Sequence, residues 1–184
     1  MQRKPETEEE IYFKKQEMAQ RAKLREKMEA DARSLQLAQR RLDLADSIKA
    51  LGFDGDKGKL FNLMPLVHVA WADGAISRRE RSLILSVVKA RGAEPGSEAF
   101  QMMESMLEEP PPAAFMEESL SILKQTLDGA EGTTLVELCV QVAKASGSFL
   151  GIGDPVDAKE REAIEAIART FGDDALRAVY RALM

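Results

Sequence analysis

An all-α fold is expected: two quasi-repeated three-helix units forming a compact helical domain, preceded by a long N-terminal helix. Three observations lead there. Apolar residues return every three or four positions in segment after segment, which is the helical period. No stretch alternates with period two, as a half-buried strand would. And "ISRRERSLILSVVKARG" (76–92) lies over "VDAKEREAIEAIARTFG" (156–172) without a gap.

The 184 residues, 45% of them apolar, suffice for one domain with a real core. The single cysteine, Cys139, lies in the apolar run "LVELCVQVA", cannot form an internal disulfide and reads as a small buried hydrophobe in a reducing compartment. "MQRKPETEEE" has no signal-peptide core, and the longest near-continuous apolar run, "FNLMPLVHVAWA", falls short of the roughly 20 residues of a membrane span. A soluble, cytoplasmic protein without a membrane span is expected. The net charge of -5 is unevenly placed. Residues 1–51 hold 12 Lys and Arg against 10 Asp and Glu, and residues 52–184 hold 14 against 21. An acidic globular part argues against nucleic acid as a partner, which calls for a basic face, and leaves cations and basic proteins open.

From Thr7 to Leu51 there is no Gly or Pro and helix formers dominate, so residues 1–51 read as a long, charged, amphipathic helix. Its apolar stripe runs Leu24, Met28, Ala32, Leu35, Ala38, Leu42, Ala45. The later part of the stripe is expected to pack on the domain. A coiled coil with a protein partner or a second copy is the other use of such a seam. The linker "GFDGDKG" (52–58) is turn-rich. It lacks the phosphate-loop spacing, and Asp54 and Asp56 fail the calcium-loop template because Lys59 and Pro65 stand where Gly and Glu are needed. The helical domain then spans 58–184, with repeat units at about 59–108 and 133–184. Helices are expected near 59–72, 77–91, 97–108, 112–128, 133–145, 157–171 and 173–183, with "EEPPPAAF" breaking the chain between the halves.

The repeat makes its recurring residues readable. "LVHVAWADG" (66–74) matches "CVQVAKASG" (139–147), and the second joint carries a seven-residue insertion within "SFLGIGDP". In both copies a glycine, Gly74 or Gly147, follows an apolar helix, where positive φ is expected to end it. Next come Ser77-x-x-Glu80 and Asp157-x-x-Glu160, capping-box arrangements that account for the two glutamates by helix chemistry alone. Asp73 differs: it lies at the carboxyl end of its helix, where its charge opposes the dipole. Its carboxylate must turn toward the free amides of the next helix or share a cation with Glu80; hard cations such as Ca²⁺ or Mg²⁺ suit carboxylate oxygens. In the second joint Ser146 replaces Asp73, and Asp154 is the candidate for the missing carboxylate.

The stretch "LVHVAWADGAISRRERSLI", with its A-x-A-D-G-x-[IV]-x-x-x-E core, resembles the TerB-like domain of tellurite-resistance proteins, a domain also found in a membrane-anchored J-domain co-chaperone. The resemblance covers roughly residues 58–184. It implies an all-helical fold of quasi-repeated halves and a set of acidic residues that bind divalent metal, and it implies no enzymatic activity. Matched residue by residue, it carries over to Asp73, Glu80 and Glu160, and more weakly to Asp157. Ser146 and the insertion depart from the pattern.

A catalytic reading finds little support. His68 is the only histidine and reads as a helix residue; one His and one Cys cannot fill a tetrahedral zinc site. No G-x-S-x-G elbow occurs, and "GSFLGIGDP" lacks the spacing of a dinucleotide turn. Met102, Met103, Met106 and Met116 read as core. The expectation is a non-enzymatic stress-response module that holds a divalent cation on Asp73, Glu80, Asp154, Asp157 and Glu160. The alternative is a protein-interaction scaffold acting through the N-terminal helix or the groove between the halves.

Overall fold

A computed structural model of the protein describes residues 8–147 and 156–184. Among the described residues every regular element is helical: α1 Glu8–Ala50, a 3-10 segment Gly55–Leu63, α2 Met64–Ala70, α3 Arg78–Ala90, α4 Glu98–Glu108, α5 Ala113–Thr126, α6 Gly129–Ser146, α7 Ala158–Phe171 and α8 Asp173–Leu183. The expected all-α class is what the chain adopts. Two units divide it at residues 43 and 44.

The first unit is the body of α1. A 43-residue helix is about 65 Å long at 1.5 Å per residue, and residues 12–43 are all exposed. The stripe therefore packs less than its period suggested: Leu24, Met28, Leu35 and Leu42 are open to solvent. Only the last turns, in the second unit, turn Leu44, Ile48 and Leu51 toward the core.

The second unit is built around α2 and α6. In α2, Met64, Pro65, Leu66, Val67, Val69 and Ala70 are all buried, as expected of a helix that is apolar all round. Helix α6 touches α2, α3, α7 and α8 and buries Leu135, Val136, Cys139, Val140, Val142 and Ala143. α3 and α7 are amphipathic, each burying one stripe: Ile84 and Val88 in the first, Ile164, Ile167 and Ala168 in the second.

Two element boundaries differ from the expectation. The helix expected over 59–72 is α-helical only from Met64, because Pro65 has no amide hydrogen and fits only the first turn of an α-helix. Helix α6 starts four residues before 133 despite Gly129 and Gly132. Asp128 caps it with Oδ1 bonds from the amides of Ala130 (2.9 Å) and Glu131 (2.8 Å), and Glu131 Oε2 accepts from the Asp128 amide (3.1 Å). Three closed amides outweigh a glycine penalty of about 1 kcal/mol per residue.

Gly132 also serves packing. A Cβ there would stand 2.5–2.7 Å from the Cγ, Cδ1 and Cβ atoms of Phe171 at the end of α7. Gly132→Ala, which in an exposed helix would stabilise by about 1 kcal/mol, is expected here to destabilise by about 1–3 kcal/mol through overpacking. Urea unfolding checks the sign, and adding Phe171→Ala should remove most of the Gly132→Ala penalty.

Candidate functional site

The two matched joints are built by the same local chemistry. At α3, Ser77 is the N-cap: its hydroxyl accepts from the Glu80 amide (3.2 Å), and Glu80 Oε2 accepts from the Ser77 amide (2.7 Å). At α7, Asp157 takes that place: its Oδ1 accepts from the Lys159 amide (2.8 Å), and Glu160 Oε2 accepts from the Asp157 amide (2.9 Å). Both capping boxes are closed, as the Ser-x-x-Glu and Asp-x-x-Glu spacing implies.

Capping does not use up the glutamates. Each spends one oxygen on its cap and carries the other into the protein, where Glu80 and Glu160 are both 1% exposed. Both lie at the third position of their helices, on the face turned to the core, and the fold brings them together although 80 residues separate them. Ser146 Oγ, at the end of α6, lies 3.3 Å from each carboxyl oxygen of Glu160 and donates to the Ala143 carbonyl at 2.6 Å. Glu80 Oε1 is buried and has no donor among the described residues while both acids are ionised; the Glu160 carboxyl, once protonated, hydrogen-bonds to the Glu80 carboxyl.

A buried carboxylate without a partner is costly, and two of them side by side more so. Burial, then the Glu80 carboxyl beside it and Asp73 beyond, push the Glu160 carboxyl up to about 7, against the downward pull of the Asp157 amide. The Glu160 carboxyl therefore keeps its proton through the acid range and gives it up near neutral pH.

The remaining predicted site residues are placed differently. Asp73 is exposed, and its Oδ1 accepts from the Ala75 amide at 3.0 Å, a short local turn that offsets its unfavourable helix-end position. Its charge still reaches Glu160. Asp157 is exposed, with a carboxylate oxygen turned to the α7 amides. Asp154 and the insertion lie outside the described residues. Among the described residues, no three His, Cys, Asp or Glu side chains gather closely enough to hold a metal ion by themselves.

Two glycines of the motif part company. Gly74 has φ +96°, a left-handed turn that ends the segment after α2. Gly147, expected to do likewise, has φ -53°; Ser146 closes that end instead through its bonds to Ala143 and Glu160. Trp71 is structural. Its Nε1 donates to the Met106 carbonyl (2.9 Å), which ties the end of α2 to α4, and Arg81 pairs with Glu108 at 2.9 Å on the same side.

Beside the joints, a groove of about 520 Å³ runs between α2, Pro110–Pro111 and α7, with His68, Lys159 and Glu162 along apolar walls. Burial pushes the His68 imidazole below its ordinary value, so it is neutral at pH 7. The thiol of Cys139 is fully buried, and burial pushes it up so that it stays protonated.

Among the described residues no helix is long and apolar enough to cross a membrane. Comparison with curated proteins and with solved structures gave no match. The family model described as "Tellurite resistance protein TerB" matches residues 59–178, which takes in both joints and the helices that present Glu80 and Glu160. The chain belongs to the TerB family.

Proposed function

We propose that this protein is a non-enzymatic, cytoplasmic stress-response module that binds a divalent cation, Ca²⁺ or Mg²⁺, between its two acidic joints. The observation that carries the proposal is the buried, unpartnered Oε1 of Glu80 beside the buried carboxyl of Glu160. The residues fit a hard cation: two oxygen donors fixed by their own caps, the Ser146 hydroxyl next to them, and Asp73 close enough to add its charge. Glu80 and Glu160 are the proposed direct ligands, with Asp73 completing the charge. Two protein carboxylates leave the other positions to water and backbone oxygen. Asp157 and Asp154 belong to the second joint and extend the candidate set on that side. When bound, the cation supplies charge neutralisation that cross-links the starts of α3 and α7.

The same pair takes a proton when no cation is present, which ties the function to pH. Between about 4.5 and 7, the folded protein holds a proton on the pair that the unfolded chain has already released. Stability from this source is therefore complete at low pH and lost as pH rises through 7. A cation restores it, and its apparent affinity rises with pH over that window because it competes with the proton.

A second reading is favoured by a separate observation. Residues 12–43 of α1 are exposed throughout and carry Leu24, Met28, Leu35 and Leu42. A charged helix that leaves these four apolar side chains in solvent suits a protein contact, and on this reading the chain acts as a scaffold whose acidic joints are helix caps only.

Two measurements test the first reading. In calorimetric titration with Ca²⁺, Mg²⁺ and Mn²⁺, wild type should give binding heat that Glu80→Gln/Glu160→Gln abolishes; glutamine keeps the cap acceptor, so the fold is preserved. Saturating metal, at a hundred times its Kd, should stabilise wild type by about 2.7 kcal/mol. Absence of metal-dependent heat and melting shift in wild type would overturn the reading. In EDTA, the melting temperature of wild type should drop on the order of 5 °C more than that of Glu160→Gln between pH 5 and pH 8; parallel profiles would contradict the shared proton.

A further inference from the structure

The exposed seam of α1 has a register that identifies its occupant. Along Leu24, Met28, Asp31, Leu35, Ala38 and Leu42 the steps alternate four and three, the heptad spacing of a coiled-coil seam, with one charged position inside it. The side chains of Leu24, Met28, Leu35 and Leu42 are 60–72% exposed. Where the helix enters the second unit, Leu44 and Ile48 turn to the core while Ala45 and Lys49, which continue the seam, stay exposed. The seam is thus uncovered along its whole length, and a lone helix gains most of its stability from burying such a face.

We propose that α1 pairs antiparallel with α1 of a second copy of this chain, about a two-fold axis passing Arg33. The inference deepens the interaction reading of α1 and is independent of the cation site. In this register Leu24 meets Leu42 of the second copy, Met28 meets Ala38, and Leu35 meets Asp31, so that large faces small and the charge faces an aliphatic side chain rather than its own copy. The next seam positions outward are Arg21 against Ala45, and then Glu17 against Lys49 of the second copy, an opposite-charge pair at each end of the interface. Lys49 has only a loose contact with Asp46 at 3.9 Å and is available to it. A parallel pair would instead set Glu17 against Glu17, Arg21 against Arg21, Asp31 against Asp31 and Lys49 against Lys49, four like-charge layers. Charge complementarity therefore selects both the partner and its direction.

Sedimentation equilibrium of the full chain in EDTA, from about 10 to 100 μM, tests the pairing without involving the cation. Wild type should sediment at about 41 kDa, twice the 20.4 kDa chain. Leu35→Asp/Leu42→Asp should halve that mass while the melting of the helical domain is kept. A monomeric wild type, or a double variant that stays dimeric, would overturn the proposal. Direction is read by mild oxidation, to which the buried Cys139 does not respond. Leu24→Cys/Leu42→Cys should give a disulfide-linked dimer and Leu24→Cys alone should not. Equal cross-linking by the single variant would show a parallel pair and overturn the antiparallel register.

Discussion

Two carboxyl groups buried against each other are the constraint around which this domain is arranged. Glu80 and Glu160 each close the first turn of a helix, and each is 1% exposed. Removing either would open a cap and leave the start of α3 or α7 unsatisfied, a loss of about 1 kcal/mol or more. Keeping both places two acids in one apolar interior, which only a positive charge makes tolerable. The stabilising local bond and the destabilising long-range repulsion reside in the same side chains. A shared proton relieves that conflict, and the proposed cation would do so in its place, which is why the proposed function rests on this pair and not on the more conspicuous aspartate of the motif.

The rest of the second unit holds the pair in place. α6 touches both α3 and α7, and its last polar residue, Ser146, lies against Glu160. α2 leads into the first joint through Trp71, whose ring nitrogen is held by α4. Each glutamate is fixed by its own capping bond at the start of its helix, and both helices pack on α6. A cation binding there would couple two helices that are far apart in sequence, which is a sound basis for a sensor.

Much of this was legible in the sequence because it is local. The capping boxes follow from Ser77-x-x-Glu80 and Asp157-x-x-Glu160, and the matched blocks at 76–92 and 156–172 show that the two helix starts are alike. The end glycines Gly92 and Gly172, aligned by the repeat, both have positive φ. What was hidden is tertiary or competitive. That Glu80 and Glu160 meet depends on how α3 and α7 each pack on α6, and no spacing within either joint encodes it. Asp73 was singled out for its unfavourable helix end, yet a single bond to the Ala75 amide offsets it. The departure of Gly147 from positive φ arises because Ser146, read only as a missing aspartate, does the closing itself. In α1 the period showed a seam but could not say what covers it.

The most direct test of the account is a carbon-13 NMR titration of the glutamate side-chain carboxyls in the metal-free protein, with Glu80→Gln and Glu160→Gln providing the assignments. One carboxyl of the pair should titrate near pH 7, and added divalent cation should move that midpoint downward. If every glutamate carboxyl, including those two, titrates in the ordinary range near 4.5 and ignores the cation, the claim that the pair must hold a positive charge is wrong.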